Sequence, residues 1–143
     1  MIDKTIKKAR KLLLNLDAVI GMLVNKSESH KNSADKIHKQ SSALHGQHIR
    51  IKKLLGRASG KHLKVLRTHG SVLADAIAKL HKAHFVHKTL AKKRLHHAGV
   101  FLSARTRVAK LVKDLAAGKY SQEKQAKIDG WLDSALARIS NIL

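Results

Sequence analysis

The side chains in this sequence best suited to chemistry are its histidines. There are eleven, and all but His30 lie between His38 and His97. His81, His84 and His87 step by three, His45 and His48 do the same, and His96 and His97 are adjacent. Imidazoles one helical turn apart can share a zinc ion. The usual co-ligands are missing, since the chain has no cysteine and Asp75 is the one carboxylate near these groups in sequence. On a helical wheel His84 and His87 fall in the apolar sector of their segment, which fits burial or hydrogen bonding between helices. Contact with phosphate is the other reading, because a polyanion favours the charged imidazole. No metal and no cofactor is expected.

Other catalytic patterns fare no better. The run GRASGK at 56–61 has three residues between its glycines where a phosphate-binding loop needs four, and His62 stands where that loop needs Ser or Thr. It reads as a turn carrying two basic side chains. The nine acidic residues are scattered, so paired carboxylates for acid–base work are absent. Asp129 and Asp133 stand four apart, as on a solvated helix face. No serine–histidine–carboxylate set follows from spacing, and the expectation is a protein that is not an enzyme.

What remains is charge. Thirty Lys/Arg against nine Asp/Glu give a formal net charge of +21. Between Lys36 and Lys113 the one acidic residue is Asp75. A surface so positive repels itself unless an anionic partner neutralises it, and solubility needs far less. The apolar fraction of 43% is that of a folded domain, which excludes a disordered basic tail. Lys and Arg bind phosphate without regard to sequence, by counterion release, and duplex DNA carries one charge per ~1.7 Å of axis. About twenty cations then match ~35 Å of duplex, a coating stoichiometry. The expected phosphate contacts are Lys36, Lys39, Arg50, Lys52, Lys53, Arg57, Lys61, Lys64, Arg67, Lys79, Lys82, Lys92, Lys93, Arg94, Arg105, Arg107 and Lys110. Single-strand binding usually needs aromatic platforms. This chain has only Phe85, Phe101, Tyr120 and Trp131, three of which are expected in the core, so duplex is favoured.

The elements that must position these residues read as helices throughout. Proline is absent, and Ala, Leu and Lys outnumber β-branched and aromatic residues. Ile2, Ile6, Ala9, Leu13, Leu16, Ile20 and Leu23 form one stripe on a first helix capped by Asp3. Asn25–Ser33 has the composition of a loop. A second helix follows to Leu55, with a thin stripe of Ala34, Ile37, Leu44, Ile51 and Leu55 and with Ser41 and His48 between them. Gly56–Gly60 breaks the pattern, and Gly70-Ser71 and Gly99 are further expected boundaries. Between them Leu73, Ala76, Ile77, Leu80, Ala83, Leu90 and Leu95 share a sector. A fourth helix carries Phe101, Ala104, Val108, Leu111 and Leu115 and ends at Gly118. The last, capped at Ser121 or starting nearer Asp129, carries Ile128, Leu132, Ala135, Ile139 and Ile142. The expectation is an all-α fold of four to five helices joined by short Gly/Ser turns, as a bundle or extended array.

That fold is read as one domain over 1–143. Residues 1–118 hold 26 Lys/Arg and 6 Asp/Glu and read as polyanion-facing; residues 119–143 hold 4 and 3 and read as a protein-facing helix. In all-α design, size, charge and lack of cysteine the chain resembles the small basic α-helical nucleocapsid (major capsid) proteins of filamentous double-stranded DNA viruses of archaea. That resemblance implies helical subunits that wrap the duplex and pack with one another, or with a similar second coat protein, in a virion or nucleoid-like assembly. No small-molecule substrate is expected. An RNA-binding assembly protein, or a virion internal or membrane-active helical protein, is the alternative; the latter rests on the amphipathic, lysine-flanked Ile2–Leu23 stretch. The apolar part of that stretch is too short to span a bilayer and no small-residue cleavage site follows it, so neither a membrane partner nor secretion by a signal peptide is expected.

Overall fold

The computed structural model describes residues 2–143 and builds them into three helices, α1 (Ile2–Leu55), α2 (Gly60–Ala116) and α3 (Gln122–Ser140), with no strand among the described residues. The chain is all-α, but with three helices rather than four to five. Asn25–Ser33, Gly70-Ser71 and Gly99 are all helical, so the expected breaks there are absent. Asn25–Ser33 contains neither Pro nor Gly, and each Asn or Ser in it costs only about 0.5 kcal/mol against Ala. Ser27 is buried and donates its Oγ to the Ala91 carbonyl at 2.8 Å, which ties this polar stretch to α2. Asp3 lies within the first turn of α1 rather than capping it, where its charge still complements the helix dipole.

The true ends follow local rules. At the end of α2, Gly118 has φ +68, its N–H reaches Leu115 O at 3.1 Å and the Lys119 N–H reaches Asp114 O at 3.1 Å, the double bond of a Schellman cap. Ser121 caps α3 by accepting from the Lys124 N–H at 3.3 Å. The GRASG break is real: α1 stops at Leu55, and Gly60, with φ +60, opens α2.

Contacts divide the chain into two units. The first combines the chain up to Lys26 with Lys93–Leu143, and the second is Ser27–Lys92. The first unit is a three-helix bundle. Its core holds Ala9, Leu12, Leu16, Val19 and Leu23 of α1, Ala98 and Val108 of α2, and Leu132 and Ile139 of α3. Phe101, Ala104, Ile128 and Ala135 pack against it. The buried stripe of α1 therefore runs through Leu12 and Val19, one residue before the expected Leu13 and Ile20, which are half-buried. Helix α3 spends its apolar face on this intramolecular core. Asp129 and Asp133 are not a merely solvated pair: Lys8 Nζ bonds Asp129 at 2.7 Å and Asp133 at 2.9 Å, and the buried Thr5 hydroxyl donates to Asp129 at 3.1 Å.

The second unit is an antiparallel helical hairpin. Its inward positions on α1 are Ser27, His30, Ala34, Ile37, Ser41, Leu44, His48, Ile51 and Leu55; on α2 they are Leu63, Leu66, Gly70, Leu73, Ile77, Leu80, His84, His87 and Ala91. Every one is buried or half-buried, and every step is three or four, the heptad spacing of a coiled coil. Gly70 is buried against Ile51, whose Cγ2 would stand 3.5 Å from an added Cβ. Along α1 the alternation is interrupted once, where Val19, Leu23 and Ser27 are separated by two consecutive steps of four; such a stutter locally unwinds a heptad helix.

Candidate nucleic-acid interface

In the hairpin unit the helix positions that make the seam also sort the charges. Ser27–Lys92 contains fourteen Lys/Arg and three carboxylates, Glu28, Asp35 and Asp75, a net of +11. All fourteen cations are exposed. None of them makes an ion pair: the ion pairs among the described residues are Lys8–Asp129, Lys8–Asp133, Arg105–Asp17 and Lys119–Asp114, all in the bundle unit. Like charges so placed repel one another across this surface.

Twelve of the expected phosphate contacts lie on this unit. Lys36, Lys39, Lys79, Lys82 and Lys92 are spread along the two helices. Arg50, Lys52, Lys53, Arg57, Lys61, Lys64 and Arg67 come together at the hairpin tip, because the Gly56–Gly60 turn folds the start of α2 back beside the end of α1. No carboxylate occurs between Arg50 and Arg67. Lys31 and Lys88 belong to the same exposed, unpaired set and stand outside the expected contacts; Lys31 falls in Asn25–Ser33, expected as a loop, which is helical and puts it on the hairpin.

The other five expected contacts belong to the bundle unit. Lys93, Arg107 and Lys110 are exposed. Arg105 is bonded through Nε to Asp17, so its charge already has an internal partner. Arg94 is half-buried, and its Nε is enclosed without a hydrogen-bond partner. Two titration shifts among the described residues also lie in this unit. The Lys8 bond, with help from Thr5, holds the Asp129 carboxyl below its ordinary range, and the Asp129 and Asp133 bonds raise the Lys8 ammonium.

The aromatic residues differ from expectation. Phe85 is 70% exposed and Trp131 53%, while Phe101 and Tyr120 are half-buried. Phe85 occupies an outward position of α2 and Trp131 stands at the rim of the bundle core, which a sparse aromatic count does not reveal. Leu95, assigned to an apolar sector, is also exposed, at 57%. A concavity of the bundle unit, about 380 Å³, is lined mainly by Leu12, Leu16, Phe101, Val108, Trp131 and Ile139, with Ser134 and Arg138 among its few polar side chains. His81, His84 and His87 do not converge, and no group of three or more His, Asp or Glu among the described residues is placed to hold a metal ion. Among those residues no helix is long and apolar enough to cross a membrane.

Comparison with protein-family models, with curated proteins and with solved structures gave no match.

Proposed function

We propose that this chain is a non-enzymatic structural protein that binds double-stranded DNA without sequence preference and packages it by coating, as a nucleocapsid-type virion protein does. The observation that carries this reading is the hairpin unit, with fourteen exposed cations, three carboxylates and no ion pair. Its α1 segment, Ser27–Leu55, extends ~43 Å at ~1.5 Å per residue. A duplex of that length presents about 25 phosphate charges, so one hairpin supplies roughly half of the neutralising charge along its own length. The side chains are mostly Lys, which hold phosphate as point charges and read no base pattern.

The deciding experiment is a salt titration of binding to duplex DNA, duplex RNA and single strands, each of scrambled sequence. Coating of DNA requires similar affinity across sequences, preference for duplex DNA and a log–log slope steeper than about −6. Preference for one RNA would replace this reading with an RNA-assembly role. A shallow slope with tight binding to anionic vesicles would replace it with a membrane-active one.

A further inference from the structure

The hairpin unit carries nine of the eleven histidines, and six of them meet across the helices in one row. His30 and His87 have ring centroids 5.3 Å apart and Nδ1 atoms at 3.0 Å; His38–His84 and His45–His81 have centroids 5.7 and 5.8 Å apart. On α1, His38 and His45 occupy the flank position just outside the seam, as His81 does on α2, and the His45–His81 contact shows that these flanks adjoin. The same flanks hold Lys31 and Lys52 of α1 and Arg67 and Lys88 of α2. On the outer side of the row lie Lys64 and Lys92 of α2 and the carboxylates Glu28 and Asp35 of α1, neither of which forms a hydrogen bond or ion pair. Asp75, the remaining carboxylate, sits on the outward face of α2. The opposite flank is Ser33, Gln40, Gln47 and Leu54 facing His62, His69, Ala76, Ala83 and Leu90. One edge of the hairpin thus carries its histidines among Lys31, Lys52, Arg67 and Lys88, whereas the other flank holds only His62 and His69, with the cations Lys36, Arg50 and Lys79 on its outer side.

The imidazoles face one another across the two helices. An N–H···N bond such as His30–His87 requires one bare nitrogen, so it exists only while at least one ring is neutral. Charging both rings of a pair places two cations within about 6 Å, among lysines. A phosphate laid along this edge reverses that balance, because it stabilises the charged ring and accepts its N–H.

We propose that the row His38, His45, His81 and His84 is the proton-responsive part of the polyanion surface, so that docking of a phosphate backbone on this edge and uptake of protons by its imidazoles are one event. This rests on the polyanion reading above and adds to it a dependence that lysine cannot produce. Lys and Arg carry the same charge at pH 8 and pH 6, as do carboxylates, and imidazole is the side chain that titrates between.

The test uses the intact chain, a random-sequence 30-base-pair duplex and fixed salt of ~150 mM, near physiological ionic strength. Affinity is measured at pH 8 and pH 6, and calorimetry at pH 7 in two buffers of different ionisation enthalpy counts the protons taken up. By linkage, uptake of one to two protons corresponds to a gain of roughly 10- to 100-fold in affinity per pH unit. The variant His38→Gln/His45→Gln/His81→Gln, whose three rings are all exposed, is expected to lose most of the uptake and the pH dependence while still binding at pH 8. The control His62→Gln/His69→Gln, on the other edge, is expected to match the wild type. Equal uptake by wild type and triple variant, or equal loss in the control, overturns the proposal and leaves the polyanion reading standing. No binding by the wild type at either pH removes that reading itself.

Discussion

Neutralising the hairpin tip is the perturbation whose size follows most directly from the structure. Lys52, Lys53, Arg57, Lys61, Lys64 and Arg67 are exposed, without ion pairs, and gathered by one turn. With Lys31, Lys88 and Lys92 on the adjoining edge, they make a set of nine cations that one duplex can contact. At about −0.9 per phosphate neutralised, nine contacts give a slope of log affinity against log salt near −8. Changing Lys52, Lys53, Arg57, Lys61, Lys64 and Arg67 to Gln leaves three of the nine, and the slope falls to about −3. The affinity lost at low salt is large, because counterion release supplies most of non-specific binding. Exposed substitutions of this kind change stability by no more than ~0.5 kcal/mol each, and fewer like charges at the tip offset even that. Fluorescence anisotropy over a salt series, with circular dichroism to confirm unchanged helicity, is the assay. A folded six-residue variant whose slope stays within one unit of the wild type refutes the assignment of the tip.

Further outcomes follow from other parts of the molecule. Phe85→Ala is expected to change duplex affinity less than ~3-fold, since phosphate contacts do not involve it; a loss on the scale of base stacking, ~1–3 kcal/mol, would show that bases are touched. Gly70→Ala is expected to raise hairpin stability by about 0.5–1 kcal/mol in chemical denaturation, because the added methyl meets Ile51 at ordinary contact distance. Gly118→Ala is expected to lower stability by ~1–2 kcal/mol, because φ there is +68. Leu132→Ala, at a fully buried site in α3, is expected to cost the bundle unit ~2–5 kcal/mol. The carboxyl of Asp129 is held below its ordinary value of 3.8 by Lys8. Its contribution to stability is therefore present above that value and lost as pH falls through the lower folded one. The melting-temperature gap between wild type and Asp129→Asn should be constant from pH 5 to pH 9 and shrink below about pH 4; a gap unchanged down to pH 2.5 contradicts the assignment.

Much of this architecture was legible in the sequence. The seam residues Ala34, Ile37, Leu44, Ile51 and Leu55, with Ser41 and His48 between them, appear in the residue spacing, as do the Gly118 and Ser121 signals that end α2 and cap α3. The helix count was not legible. Asn25–Ser33, Gly70 and Gly99 each weaken a helix locally, and for the first two the neighbouring helix shows why they do not end it: Ser27 bonds across to Ala91, and Gly70 lies against Ile51. The same holds for the candidate site. Charge density marked the basic residues, but separating the free ones from Arg105, bound to Asp17, and from Arg94, with its enclosed Nε, required partners 88 residues away or packed around the side chain. The pairing of His30 with His87 spans 57 residues and leaves no trace in local spacing.

The central claim, coating of duplex DNA by charge alone, is tested most directly by the saturation stoichiometry on a long random-sequence duplex. With a net charge of +21, one chain neutralises about 10 base pairs. Saturation is expected near one chain per ~10 base pairs, the same on unrelated sequences and with the whole duplex protected from nuclease. Saturation at a few discrete sites, with the intervening DNA left open to cleavage, would contradict it.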